Sequence, residues 1–493
     1  MSNIAVSVSF NDIPPSLRVP GAYLEIDNSG ALQGLPVIWY KLLVIGQKLP
    51  AGGQPAATPL LITGGKAQAD AAFGQGSMLS LMVQAARKAN DYTEMWAIAL
   101  DDNSAGAAAT GSVALAGTAT AAGTYQLYVG GVPIQVAVTV GMTGTALATA
   151  LAAAIAANAD LPVTASTAIG TVTLTARHKG VEAGQIDLRN LYYQGDAIPA
   201  GITSTITQMS GGSANPLLAS VINAMGDDPY HAIILPYNDT ASVTALNTEL
   251  TRRFSGLVQK DSHAYGWVPG TVGTLASWGT TQDSPHLSVL GASNLPTPGF
   301  VAAAVYGAVA AYYLSDDPAR PLRTLALPGL LAPAPADRFS WTNRNLLLHD
   351  GIGTFVVDPD GTMRIERSIT TYQLNGAGAQ DASYLQTETM ATIAYVRFSW
   401  VNRMLIRFPR YKLADDAPTP PPPNTVTPRV VAAEQLAWFV EMVDAGICED
   451  VAQFKATQIV VRNRNDNTRI DSIVPAHLVS GLQVIAGKLR FLL

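Results

Sequence analysis

The chain's six histidines are His178, His231, His263, His286, His349 and His477, and no two stand in the H-x-x-x-H spacing that puts two imidazoles on one helix face for a metal. Cys448 is the only cysteine, so it has no second thiolate to share a metal with, and an intrachain disulfide is impossible. Gly291-Ala-Ser293-Asn-Leu295 breaks the G-x-S-x-G nucleophile elbow at its last position. Gly64-Gly65-Lys66 lacks both the glycine five positions before Gly65 and the following Ser/Thr of a phosphate loop. Gly351-Ile-Gly353 is followed by Val356, where a dinucleotide fingerprint needs a third glycine. His349 and Asp350 are neighbours in sequence, which is not geometry, and a structural role is favoured. Asp358 and Asp360 begin a calcium-loop spacing that stops after two residues; a hairpin turn explains them better. No catalytic residue, metal site or cofactor is expected. An α/β enzyme assembled from residues far apart in sequence is the alternative.

One constellation is left. Arg403, Arg407 and Arg410 recur at four and three residues, which places them on one face near the end of a long predicted helix, with Arg397 displaced around its axis. Tyr395, Phe398, Trp400 and Phe408 interleave. The plain reading is a solvated basic face, with cations favourably set at a helix C-terminus. Nucleic-acid binding uses the same residue types, but the net charge is −6 and nucleic acid is not expected as a partner. An acidic protein surface is the third possibility.

These residues need elements to hold them. Of 493 residues, 48% are apolar and only 13% charged, against about 25% charged in an ordinary soluble protein. Such a chain either buries much of its surface against partners or is a large Ala/Gly-rich soluble protein. Its length implies several domains. It has no run of about 18 apolar residues to span a bilayer and no basic and apolar regions of a signal peptide at Met1–Phe10. Folding in a cytoplasm, without membrane insertion, is expected.

Residues 1–26 read as an arm. Val6, Val8 and Phe10 alternate like a strand before Pro14-Pro15 and Pro20-Gly21, and a segment of this kind cannot bury its own apolar face. It is either disordered or laid against another surface. From Pro36 the runs Val37–Ile45, Lys66–Phe73, Ser77–Asn90 and Met95–Leu100 alternate strand and helix, which suggests βαβ units in a mixed or parallel sheet. Between Ala105 and Ala176 that pattern stops, and Asp160 is the only charge. Strands Tyr125–Val129 and Pro133–Val140 flank a Gly130-Gly131 turn, with a helix over Thr145–Asn158. After Gly211-Gly212 the strand–helix alternation resumes.

The predicted organisation is multidomain α/β and α+β. An α/β parent domain (27–104 and 212–335) is interrupted by a β-rich module (105–211) that projects from an exposed loop. A C-terminal α+β domain (336–480) and an arm strand (481–493) follow. Within the C-terminal part, Asp358-Pro-Asp-Gly361 marks a hairpin, Asp381 is predicted to cap the long helix reaching about Phe408, and Pro420–Pro423 lies in an extended linker. The last strand is predicted over Gln483–Leu492, carrying the apolar Val484, Leu489 and Phe491 with Leu493 beyond.

Four stretches carry a resemblance to a known family. Ser9-Phe-Asn-Asp-Ile-Pro-Pro-Ser-Leu-Arg-Val-Pro20 through Asp27 resembles the opening arm of the contractile tail sheath proteins of Mu-like phages. Trp341-Thr-Asn-Arg-Asn-Leu-Leu-Leu-His-Asp350, continuing to Arg364-Ile-Glu-Arg367-Ser-Ile-Thr-Thr-Tyr372, is similar to that family's C-terminal domain hairpin. Phe408-Pro-Arg-Tyr-Lys-Leu-Ala-Asp415 follows the long helix as in the family, and Gly481 to Leu493 is similar to its terminal strand. The resemblance implies a structural subunit of the virion tail that stacks in rings around an inner tube and contracts as a rigid-body rearrangement. It implies as partners the chain itself, the tube protein, and baseplate and tail terminator proteins. The arms, through Val6, Val8, Phe10, Val484, Leu489, Phe491 and Leu493, would add strands to neighbouring subunits. The C-terminal domain would lie beside the tube, which makes Arg397, Arg403, Arg407 and Arg410 candidate tube contacts. A surface or adhesion protein would suit the Thr/Ala/Gly-rich module but would need an export signal.

Overall fold

The computed structural model describes residues 35–417, 419 and 421–491; Val6, Val8, Phe10 and Leu493 lie outside them. The chain divides into two compact units, one of Ile38–Phe398 with the terminal residues from Leu478, the other built on Ser399–His477.

In the first unit, β1 (Lys41–Gln47), β2 (Pro59–Ile62), α1 (Lys66–Phe73), α2 (Met78–Ala89) and β3 (Glu94–Leu100) open the fold. The chain then passes through β4 (Ala108–Gly117), β5 (Gly123–Val129), β6 (Val132–Val138), α3 (Gly144–Ala157), β7 (Val163–Ala168), β8 (Thr171–Lys179), β9 (Leu188–Arg189) and β10 (Ile202–Ser210). It returns through α4 (Ala219–Met225), β11 (Ala232–Ile234), α5 (Thr240–Phe254), β12 (His263–Pro269), α6 (Val272–Gly279), β13 (Leu287–Ala292) and α7 (Gly299–Asp316).

Six strands form one sheet in the order β13-β12-β11-β1-β3-β2, parallel throughout except for β2, which runs antiparallel to β3. Strands covered by helices on both faces must be apolar on both, and Leu42, Leu43, Val44 and Ile45 in β1 are all fully buried. The helices begin where side chains can replace missing backbone partners: Ser77 accepts the Ser80 N–H before α2, and Asp239 the Ser242 N–H before α5. Helix α7 is buried nearly all round. Its Gly307 lies so close to the sheet that a Cβ there would sit 2.7 Å from Ile234 Cγ1, so only glycine permits this approach.

The segment from β4 to β10 builds two further sheets, β10-β4-β8-β7 and β6-β5-β9. The turn between β5 and β6 has positive φ at both Gly130 (56°) and Gly131 (83°), the geometry a tight hairpin needs and glycine supplies at no steric cost. Asp160, the one charge between Ala105 and Ala176, is not loose on the surface. It bonds Lys66 of α1 and Gln75 (2.9 Å), tying these sheets back to the six-stranded one.

Helix α8 (Trp341–His349), β14 (Thr354–Val357), β15 (Met363–Arg367) and α9 (Thr387–Arg407) follow, and the hairpin turn at Asp358–Gly361 is where its residue types put it. Asp381 does not cap α9, which starts six residues later. Its carboxylate instead accepts from the Ser383 N–H (2.9 Å) and the Tyr372 hydroxyl (2.8 Å), closing a local turn.

The chain enters the second unit within α9. That unit holds β16 (Lys412–Leu413), β17 (Thr425–Val426), α10 (Pro428–Asp444), β18 (Cys448–Glu449), α11 (Val451–Thr457), β19 (Ile459–Arg462) and β20 (Ile470–Ile473). Its centre is Trp438, whose indole donates to Ser399 Oγ (2.8 Å), with Phe439 stacked on Phe454 at 4.0 Å between ring centroids. Thr427 caps α10, with Pro428 in its first turn.

The terminal stretch expected as a strand over Gln483–Leu492 forms no ladder: residues 479–491 have no regular secondary structure. A strand exists only where another strand satisfies its backbone, and among the described residues no strand pairs with this segment.

Candidate assembly surfaces

The terminal segment is held only at its root. Gly481 packs against Pro321, where a Cβ would come within 2.5 Å of the ring, and Arg323 Nη1 donates to the Gln483 carbonyl (2.7 Å). Beyond that anchor the apolar side chains face water: Val484 is 75% exposed, Ile485 84%, Leu489 88% and Phe491 74%. This concentrates four large exposed apolar side chains within eight residues of extended chain.

A second open feature lies in the other unit. β19 and β20 form a two-stranded antiparallel ribbon in which Ile459 pairs with Ile473. Ile459, Val461 and Ile473 remain about half exposed (49%, 50% and 58%). Two strands alone are marginally stable in water, and among the described residues no third strand pairs with either outer edge.

Of the arginines, Arg403 and Arg407 share a face as their spacing predicted and Arg397 stands apart, but Arg410 lies beyond the helix. Arg397 Nη1 donates to the Phe254 carbonyl (2.7 Å) and to Asp261 Oδ1 (2.8 Å), and its guanidinium lies 4.4 Å over the Phe254 ring. It locks α9 to the end of α5. Burial pushes Asp261 up to about 6 in spite of the Arg397 charge. Arg403 is largely buried by its own partners, Nε reaching Glu434 (2.6 Å) and Nη2 Glu441 (3.1 Å) on α10. Arg407 shares Glu434 (3.3 Å), with its side chain half exposed. Arg410 is past the helix and exposed, because Pro409 disfavours the α conformation at Phe408 and ends α9. The acidic surface that meets Arg403 is in the same chain. Glu434 and Glu441 stand seven residues apart, on one helix face, and matching that i, i+7 carboxylate pair to the i, i+4 arginines was the signal available in the sequence.

Residues 211–371 match the family model described as the phage tail sheath protein central domain, and residues 379–491 match the phage tail sheath C-terminal domain. Over 489 residues the chain is 38% identical to the Mu-like prophage FluMu tail sheath protein of Haemophilus influenzae, a match that covers 99% of this chain and 100% of that one. The chain belongs to the phage tail sheath family. It is a structural subunit of a contractile sheath and a component of the virion tail. Among solved structures, the sheath tail protein of Desulfitobacterium hafniense is similar at 12% identity over 94% of this chain and 97% of that one, with a TM-score of 0.49. The contracted helical sheath of the anti-feeding prophage is similar at 10% identity over 96% and 99% of the two chains, also with a TM-score of 0.49. Among the described residues of the sheath subunit, no helix is long and apolar enough to cross a membrane.

Proposed function

We propose that this sheath subunit polymerises with copies of itself around a tail tube, joins baseplate and tail terminator proteins at the ends, and contracts to drive the tube through the host envelope. It assembles in the host cytoplasm, works by rearrangement of stored contacts rather than by catalysis, and uses no cofactor.

The observation that carries this reading is the pair of unsatisfied β features. Among the described residues, the terminal segment offers exposed Val484, Leu489 and Phe491 on a backbone with no ladder, and the β19–β20 ribbon offers exposed Ile459, Val461 and Ile473 beside edges that no third strand covers. Each lacks what the other supplies. Strand addition between copies would satisfy both, since main-chain bonds give affinity and the alternate side chains give register. Burying Leu489 and Phe491 would contribute roughly 1.5–3 kcal/mol each. Leu493 and the N-terminal residues Val6, Val8 and Phe10 would serve in the same exchange. The tube-facing role falls mainly to Arg407 and Arg410, whose charges are exposed, while Arg403 orients Arg407 through their shared Glu434 and Arg397 anchors the helix.

Truncation after Gly481 tests the reading. Negative-stain microscopy is expected to find folded monomers and no tubes or rings. Polymers of normal length from the truncated chain would overturn the strand exchange.

A further inference from the structure

The carboxyl ends of β1 and β3 are closed by a polar seam. β1 lies between β3 and β11, the point where the strand order of the sheet reverses, and in open α/β sheets a crevice forms there. Here the 3-10 turn Val181–Gln185, which follows β8, occupies it. Glu182 on that turn is fully buried. One carboxylate oxygen accepts the Asn238 N–H (3.3 Å) and the other faces the Gln185 amide. Among the described residues no ion pair joins Glu182 to a cation.

The groups around it are mostly acidic. Asp239, which caps α5, is held by the Asn215 amide (2.7 Å), and Asn215 in turn accepts the Val181 N–H (2.8 Å). Asp102, just past β3, receives Gln47 Nε2 (2.7 Å), His178 Nδ1 (2.8 Å) and the Lys179 N–H (3.0 Å). The Tyr237 hydroxyl is buried near Glu182, Asp102 and Asp239 and has no hydrogen-bond partner. Lys179 sends its ammonium to the Ser104 carbonyl (3.1 Å), and His178 is bonded to Asp102.

We propose that the seam is a proton-tightened latch: the β4–β10 module docks on the six-stranded sheet with Glu182 as a neutral acid, and ionisation of Glu182 loosens the docking. Glu182 is sealed from water beside Asp239 with no cation paired to it among the described residues, and a buried unpaired charge is far costlier than a buried neutral acid. Burial pushes Glu182 up to about 8, with the charge of Asp239 acting in the same direction. An undocked, hydrated Glu182 would ionise near pH 4.3, a value of about that size being usual for glutamate. Docking is therefore strongest below that pH, weakens as pH rises toward the docked value, and levels off once Glu182 is ionised in both states. Over the window between, the opening equilibrium rises roughly tenfold per pH unit. This latch is independent of strand exchange, because it operates within one chain.

Hydrogen exchange on the full chain reads it directly. The amides of Gly180 and Ser213, both donating to Ala107 O, and of Val181 report on the seam, and Ala264 in β12, bonded to His286 O, is the internal reference. After correction for intrinsic rates, seam protection relative to Ala264 is expected to fall roughly tenfold per unit between about pH 6.5 and 8, above the range in which the buried histidines cost the sheet stability, and to be flat in Glu182→Gln. A flat wild-type ratio overturns the proposal, and so does an equal slope in the variant, which would place the titrating group elsewhere. Should Glu182→Gln not fold, Asp239→Asn is expected to shift the upper end of the slope to lower pH; an unmoved slope then overturns it.

Discussion

The six-stranded sheet around β1 and the β19–β20 ribbon are built from similar residues and differ in closure. In β1 the run Leu42–Ile45 is buried on both faces by partners within the chain. In β19 Ile459 and Val461 stay half exposed, and the apolar terminal segment has no ladder at all. Apolar strand-forming residues left open are an aggregation hazard unless a partner completes them. The closed sheet therefore answers for the stability of one subunit, and the open β features are the surfaces that the proposed strand exchange would use.

The largest effect that could break this contrast is in the closed sheet. Leu43→Ala is expected to cost about 2–5 kcal/mol in urea denaturation of the purified monomer, the range for a cavity in a packed core. A loss below about 1 kcal/mol would mean that the sheet is not the stabilising core.

Acid should attack the same unit. Burial pushes His263 down to about 3 and His231 and His286 each to about 4. A histidine with a depressed folded-state value is neutral when native but protonated when unfolded, so stability is full above about pH 6.5 and is lost as pH falls toward the folded values. Each group contributes on the order of 3 kcal/mol across that window. The melting temperature is expected to drop steeply between pH 6 and 4, and His263→Gln, which can keep the bond to Ser288, should make the drop shallower. An unchanged pH profile in that variant would remove His263 from the account.

The arginines give a smaller, graded contrast. Arg403→Ala is expected to cost about 1–3 kcal/mol, because it strands Glu434 and Glu441 in a partly buried site. Reversing Arg407 and Arg410 to Glu is expected to change monomer stability by no more than about 0.5 kcal/mol. It should nonetheless weaken sheathing of tubes in a salt-dependent way in a co-sedimentation assay. Normal sheathing at every salt concentration would return these two to an ordinary solvated face.

On the monomer, the smallest effect belongs to the open segment. Leu489→Asp with Phe491→Asp is expected to leave denaturation within about 0.5 kcal/mol of wild type while polymers disappear from sedimentation profiles. Destabilised monomers would mean that the segment folds back on its own chain.

Elements whose residue types act locally were readable in advance: the Gly130-Gly131 turn, the Asp358–Gly361 hairpin and the buried βα alternation. Asp381 misled because its side chain serves a turn as well as a cap, and the choice rests on which backbone donors lie nearest. The arginine face misled because helical spacing gives direction around an axis but not what faces it.

From the sequence alone came the strand–helix alternation of the sheet, the interruption between β3 and α4, the apolar end segment and the likeness to tail sheath proteins. These depend on neighbours along the chain, where period and turn chemistry act. Only the tertiary structure decided that Arg397 would meet Asp261, that Arg403 would meet Glu434, that Asp160 would tie the β4–β10 sheets to α1, and that Glu182 would be sealed beside Asp239. Each of those joins residues that are far apart in sequence, and burial, charge and protonation are properties of the surroundings that packing brings together.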